Sequence, residues 1–104
     1  MKTFGKTIYD KRKELGISQK DLASSVKKED GISISAQYLN DIEHDRRNPP
    51  NEEIIAQLAR ELQLDKEELC VIAGTVPKEY REKFLASSDE EKKQAIKAFR
   101  RIFK

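Results

Sequence analysis

The sequence predicts an all-α fold, and three observations support this prediction. Apolar side chains recur at intervals of three and four residues, as they do on one face of an amphipathic helix. Ser, Asp or Asn stands before most of these segments, where a helix N-cap is favoured, and glycine or proline lies between several of them. The chain contains no run rich in strand-forming residues, no internal repeat and no low-complexity segment. Seven helices are therefore expected.

The first two helices are predicted on either side of Gly16, which ends the first of them. The first helix carries three apolar residues along one side: Phe4, Ile8 and Leu15. Ser18 begins the second helix as its N-cap, with Asp21 three residues later in a capping-box arrangement. Residues 27–33, KKEDGIS, are polar and include a glycine, so they are predicted to connect the second helix to the third.

The third helix is predicted from about Ser35 to Asp45 and has two different sides. Leu39 and Ile42 face the core, while the opposite side collects small, amide, acidic and imidazole side chains: Ala36, Gln37, Asn40, Asp41 and His44. Gln and Asn amides can pair with an adenine edge, and Ala can contact a thymine methyl group. An ordinary solvated helix also has a polar side, so this helix alone leaves both interpretations open.

Four further helices are predicted after the Pro49–Pro50 pair, which breaks the chain. Their first turns are marked in order by Asn51, Asp65, Pro77 and Ser88. The fourth helix carries a clear inward stripe, consisting of Ile54, Ile55, Leu58, Ala59 and Leu62.

The composition narrows the classes of function. A chain of 104 residues, 37% apolar and 38% charged, suits one small domain with an appendage. No run approaches the ~20 apolar residues of a membrane span and no signal peptide opens the chain, so a cytoplasmic protein is expected. Cys70 has no disulfide partner, and His44 lacks the further ligands that a metal site needs. Without a glycine-rich phosphate loop or a nucleophile–base pair, we expect neither an enzyme nor a cofactor.

Three segments together resemble a known family: LGISQKDLA (15–23), ISAQYLNDIEHDRRNPP (34–50) and LARELQL (58–64). They resemble the phage-repressor (Cro/repressor-type, xenobiotic-response-element) helix-turn-helix family, and the resemblance covers residues 4–73. It implies a five-helix, repressor-like DNA-binding domain over residues 1–74, whose third helix enters the major groove. The connection at residues 27–33 is longer than in compact members of the family.

The resemblance also implies a role for individual residues. Base-reading positions are Ala36, Gln37, Asn40, Asp41 and His44. Positions at the DNA backbone are Arg12, Ser18, Gln19, Ser35, Tyr38, Arg46, Arg47 and Asn48. An Arg12–Glu43 pair would tie the first helix to the third and direct Arg12 toward the backbone. Asp41 would be repelled by phosphates unless it accepts a hydrogen bond from cytosine or pairs with a neighbouring arginine.

Residues 75–104 lie outside the resemblance and form the predicted C-terminal helical segment. The last helix carries a stripe of large apolar side chains: Ile96, Phe99, Ile102 and Phe103. This stripe needs a partner surface, which could be the fifth helix of the same chain or a second copy of the protein. We favour the second copy, and therefore a homodimer.

The sequence thus predicts a prokaryotic or phage transcriptional regulator that binds double-stranded DNA sequence-specifically. The favoured form is a repressor that binds an inverted-repeat operator as a homodimer. The alternative is an antitoxin-type module that neutralises a partner toxin and regulates its own promoter. Neither prediction involves a membrane, a metal or a cofactor.

Overall fold

Seven α-helices make up most of residues 2–103, the part of the chain that the computed structural model describes. In chain order they are α1 Phe4–Leu15, α2 Gln19–Ser24, α3 Ala36–Glu43, α4 Glu52–Leu62, α5 Lys66–Ile72, α6 Lys78–Ala86 and α7 Asp89–Ile102. Within this range the extended pairing is limited to an isolated bridge between Lys27 and Ser33. The predicted all-α fold, with a helix-turn-helix domain and a helical extension, is confirmed.

Side-chain caps fix the beginnings of several helices at the residues that the sequence predicts, whereas α1 is capped by Thr3 and α6 has no side-chain cap. Ser18 and Asn51 each accept a hydrogen bond at 3.0 Å from the backbone N–H three residues later. Ser88 and Glu91 form a complete capping box at the start of α7. An N-cap of this kind contributes about 1 kcal/mol, because it satisfies an N–H that has no partner inside the helix.

Helices α1 to α5 enclose one hydrophobic core. Its fully buried large side chains are Ile8, Leu22, Val26, Leu39, Ile42, Ile55, Leu58, Leu62, Leu69 and Cys70. Leu39 and Ile42 hold the inner side of α3, so its polar side must face outward. On α5 the core takes Leu69 and Cys70, whereas Val71 and Ile72 remain exposed.

A close helix crossing at Gly5 fixes α3 against α1. A Cβ atom at Gly5 would lie 2.3 Å from the Ile42 carbonyl oxygen and 2.8 Å from that of Glu43. The carboxylate of Asp45, two residues after the end of α3, accepts hydrogen bonds from the Thr3 hydroxyl at 2.6 Å and the Gly5 N–H at 3.1 Å. Asp45 therefore helps to cap the N-terminus of α1.

The connection between α2 and α3 is a small hairpin fastened to α4. The Ile34 N–H donates to the Val26 carbonyl at 2.9 Å, and Gly31 turns the chain with φ of +81°. The Gln57 side chain accepts from the Lys27 N–H at 2.7 Å and donates to the Lys27 carbonyl at 2.8 Å. The long connection is thus held in a defined place beside the start of α3.

The C-terminal segment contributes little to the core. Neither α6 nor α7 contains a buried residue. The four stripe residues of α7 are 44–69% exposed, so the stripe is not covered by α5 of the same chain. Across residues 2–103, no helix has the length and hydropathy to cross a membrane.

Candidate nucleic-acid interface

The five residues expected to read bases lie together on the outer side of α3. Three of them are exposed, namely Ala36, Gln37 and His44, and two are half-buried, namely Asn40 and Asp41. The helix is amphipathic because its inner residues are spaced three apart and its outer residues fall between them. The outer side therefore offers a compact group of hydrogen-bonding side chains to a partner.

The Gln37 amide has a defined orientation. Its Nε2 donates to Asp41 Oδ1 at 3.0 Å. Because an ionised carboxylate can only accept, the nitrogen side of the amide must face Asp41. The second N–H and the Oε1 atom point away from this bond, and these are the two groups that an amide uses to pair with adenine.

Asn40 is oriented by Gln19, the first residue of α2. Gln19 Nε2 donates to Asn40 Oδ1 at 3.0 Å and to Glu43 Oε1 at 2.9 Å. The Glu43 carboxylate fixes the orientation of the Gln19 amide, and the Gln19 amide in turn fixes that of Asn40. The Asn40 NH₂ group is thereby directed away from Gln19, where it can donate to a base edge.

A buried ion pair underlies this arrangement. Arg12 Nε and Nη2 donate to the two carboxylate oxygens of Glu43 at 2.6 and 2.9 Å, and Arg12 Nη1 donates to the Ile17 carbonyl at 2.9 Å. Arg12 is 6% exposed and Glu43 is 5% exposed. The pair ties α1 to α3, as the resemblance implies. The contact of Arg12 with a phosphate stays a prediction, since most of its guanidinium is used inside the domain.

Two arginines follow α3 and remain exposed. The Arg47 guanidinium lies 5.1 Å from the centre of the Tyr38 ring. Arg46 Nη1 is 3.6 Å and Arg47 Nε is 3.8 Å from the Asp41 carboxylate. Asn48 continues this exposed loop. A polyanion that approached the outer side of α3 would meet these cations at its C-terminal end.

Serine hydroxyls lie at the N-terminal ends of α2 and α3. Ser18 accepts from the backbone N–H of Asp21, and Ser35 accepts from that of Tyr38, both at 3.0 Å. Each hydroxyl still carries a proton that it can donate, and both residues are exposed. Exposed helix N-termini favour anions because their N–H groups and dipole point toward the ligand.

His44 is held by a contact with its own helix, and Cys70 is buried in the core. His44 Nδ1 lies 2.8 Å from the Asn40 carbonyl, which can only accept, so Nδ1 carries the proton and Nε2 faces outward. Burial raises the pKa of the Cys70 thiol, which disfavours the reactive thiolate. Among residues 2–103 there is no group of three or more His, Cys, Asp and Glu that could hold a metal ion.

Sequence reasoning missed two contacts that hold α3 and the hairpin before it in place. Thr3, Gly5 and Asp45 form one such contact, and Gln57 forms the other. A glycine in the first turn of a helix is a weak signal for close packing. The sequence contains no corresponding signal for Gln57, because its partner lies 30 positions away.

Comparison with known proteins agrees with this geometry. A helix-turn-helix family model matches residues 8–69, more than half of the chain, and the match extends from α1 into α5. It therefore includes the whole of α2, α3 and the hairpin between them. Searches of curated proteins and of solved structures found no significant match.

Proposed function

The chain belongs to the Cro/repressor-type helix-turn-helix family of DNA-binding transcriptional regulators, and on that premise we propose that it is a sequence-specific repressor that binds an inverted-repeat operator as a homodimer. The observation that supports base reading best is the oriented outer side of α3. Gln37 and Asn40 are both exposed enough to meet a ligand and both held by hydrogen bonds. Preorganised amides lose little side-chain entropy on binding.

In this proposal α3 lies in the major groove and its outer residues contact base edges. Gln37 and Asn40 donate and accept at purine edges, and Ala36 contacts a thymine methyl group. Asp41 and His44 lie further along the same side, at the edge of the contact. The buried Arg12–Glu43 pair acts as a positioning element, because it holds Gln19 and, through Gln19, Asn40.

Phosphate contacts would flank α3 on both sides. Ser18, Gln19 and Ser35 would bind the DNA backbone from the helix N-termini. Arg46, Arg47 and Asn48 would bind it from the loop after α3, together with Tyr38, whose ring lies beside Arg47. Such contacts position the domain but carry little sequence information. Binding should weaken steeply with salt, because each neutralised phosphate releases counterions.

The exposed α7 stripe supports the homodimer. Fully burying a side chain such as Phe99 or Ile102 contributes about 1.5–3 kcal/mol, so four of them leave a large gain unrealised in the single chain. An identical stripe on a second copy offers a surface of matching chemistry. A two-fold dimer would place its recognition helices on half-sites about 34 Å apart, one helical turn of DNA.

A dimer bound to such a site would repress transcription by covering a promoter. We propose that the protein acts in the cytoplasm. We propose a binding role and not a catalytic one, because the family is one of DNA-binding regulators. This role needs neither a cofactor nor a further protein partner.

Selection of bound duplexes from a random DNA pool tests the proposal. The expected result is enrichment of an inverted repeat with two half-sites. Enrichment of one isolated half-site would contradict the dimer, and the absence of any enriched sequence would contradict sequence-specific binding.

Sedimentation tests the dimer separately. Phe99→Glu, which places a charge in the stripe, should give a monomer with much weaker operator binding, as should deletion of residues 88–104. Gln94→Glu adds the same charge on the opposite side of α7 and should leave the dimer intact. A dimeric Phe99→Glu protein would contradict the assignment of the stripe.

A further inference from the structure

A cluster of charged and polar side chains surrounds Asp41 on the outer side of α3. Its carboxylate accepts a hydrogen bond from Gln37 at 3.0 Å. The same carboxylate lies 3.6 Å from Arg46 Nη1 and 3.8 Å from Arg47 Nε. Arg47 is also placed against the Tyr38 ring. One acidic side chain therefore contacts a base-reading amide and both exposed arginines.

The contacts differ in how tightly they hold their members. The Asp41 side chain is 21% exposed, whereas those of Arg46 and Arg47 are 60% and 58% exposed. Both arginine distances exceed a hydrogen-bond length, so the arginines are attracted by charge and not fixed by directed bonds. The arginines can therefore move to phosphates, but the Asp41 carboxylate is then left without its cations, which opposes the move unless another donor replaces them.

A carboxylate in this position works against DNA binding in general. The phosphates on either side of a groove repel it, and most base edges offer it no donor. Cytosine is the usual exception, because its N4 amino group donates in the major groove and Asp or Glu can accept from it. A side chain that weakens binding to the wrong sequences gives specificity as effectively as one that strengthens binding to the right sequence.

We infer that Asp41 determines sequence specificity through Arg46 and Arg47. On non-cognate DNA, Asp41 holds both arginines away from the phosphates. On the operator, a cytosine amino group becomes the partner of Asp41, and the arginines are released to the phosphates. This inference rests on the proposed DNA-binding function and deepens it. It assigns the base facing Asp41 as cytosine. It also implies that both arginines lie beside Asp41 in the free protein and against phosphates on the operator.

Asp41→Asn tests the inference, because asparagine keeps the shape and the acceptor for Gln37 but loses the charge. Binding to a random-sequence duplex and to the selected operator is measured by fluorescence anisotropy over a range of salt concentrations. Affinity for the random duplex should rise about tenfold at low salt, and cytosine preference at one position should disappear. The salt dependence should steepen by about one to two phosphate contacts, each contributing a slope of ~0.9.

Three further variants serve as controls. Glu68→Gln makes the same change in net charge at an exposed site on α5 and should leave both affinities unchanged. Asp41→Glu keeps the charge and should preserve discrimination between the two duplexes. Adding Arg46→Gln and Arg47→Gln to Asp41→Asn should abolish the gain on random DNA.

The outcomes distinguish this inference from the proposed function. If wild-type protein selects an operator but Asp41→Asn keeps the wild-type affinity for random DNA and the same base preferences, the inference about Asp41 is overturned and sequence-specific binding stands. If wild-type protein selects no sequence, both are overturned. Thermal melting of Asp41→Asn at the wild-type temperature confirms that any change in binding does not arise from unfolding.

Discussion

Replacing Glu43 with glutamine removes the charge that neutralises a buried arginine. Glu43 accepts hydrogen bonds from Arg12 at 2.6 and 2.9 Å and from Gln19 at 2.9 Å. Glutamine has nearly the same shape, but its amide presents one oxygen and one NH₂ group in place of two acceptor oxygens. One donor of Arg12 or Gln19 must then face another donor, and the guanidinium remains in the core without a counter-charge.

The size of the effect follows from the burial of the pair. Removing one partner of a buried ion pair costs about 3–5 kcal/mol, because the remaining charge has lost its water and gained nothing in return. Ordinary domains are stable by about 5–15 kcal/mol. Glu43→Gln is therefore expected to lose a large share of the free energy of unfolding.

Urea unfolding followed by far-UV circular dichroism measures this loss. Asp10→Asn is the control, because it removes carboxylate contacts with Lys2 and Lys6 that lie at the surface. Solvent screening makes such contacts weak, so the unfolding midpoint of this variant should stay close to that of the wild type. A Glu43→Gln cost below about 1 kcal/mol, as for a surface ion pair, would refute the reasoning.

A double variant separates stability from positioning. Arg12→Met with Glu43→Leu removes both charges and should recover much of the lost stability, since no unpaired ion remains. Gln19 would still lack its acceptor at position 43, so operator binding should stay weakened. Recovery of full operator affinity would show that the pair does not position Gln19 and Asn40.

Three further predictions concern contacts that hold single elements of the fold in place. Gly5→Ala should destabilise the domain by about 1–3 kcal/mol in urea unfolding, because the added methyl group meets the Ile42 carbonyl. Gln57→Ala should speed amide hydrogen exchange in the α2–α3 hairpin while leaving exchange in α7 unchanged, because both of its hydrogen bonds to Lys27 are lost. The Ser88 backbone N–H lowers the pKa of Glu91 in the capping box. The contribution of the Glu91 carboxylate to the stability of α7 should therefore be complete above the ordinary Glu pKa. It should be lost as pH falls through the lowered pKa. Hydrogen exchange in α7 should follow this pH dependence in the wild type and not in Glu91→Gln.

The helices could be predicted from the sequence because their signals are local. Ser18, Asn51, Asp65 and Ser88 cap the helices that they were expected to cap. A cap and a stripe of apolar residues span only a few positions along the chain. Local physics is therefore sufficient to place these elements.

The contacts between helices could not be predicted in the same way. Asp45 caps α1 from 40 positions away, and Gln57 fastens a hairpin 30 positions away. Arg12 lies among lysines in a segment that looks solvated, and its burial depends on the approach of Glu43 from α3. The family resemblance implied that pair, whereas periodicity alone would have left Arg12 on the surface. For Asp41 the sequence left two partners open, cytosine or a neighbouring arginine, because the positions of Arg46 and Arg47 depend on how the chain turns after α3.

The central claim is that the outer side of α3 reads DNA bases, and comparing the base preferences of three variants tests it most directly. Gln37→Ala and Asn40→Ala should each change the preferred base at one position of the selected site and cost about 1–3 kcal/mol there. Arg47→Ala should weaken operator binding without changing the preferred base at any position. If Gln37→Ala and Asn40→Ala select the same sequence as wild-type protein, α3 does not read bases and the claim is contradicted.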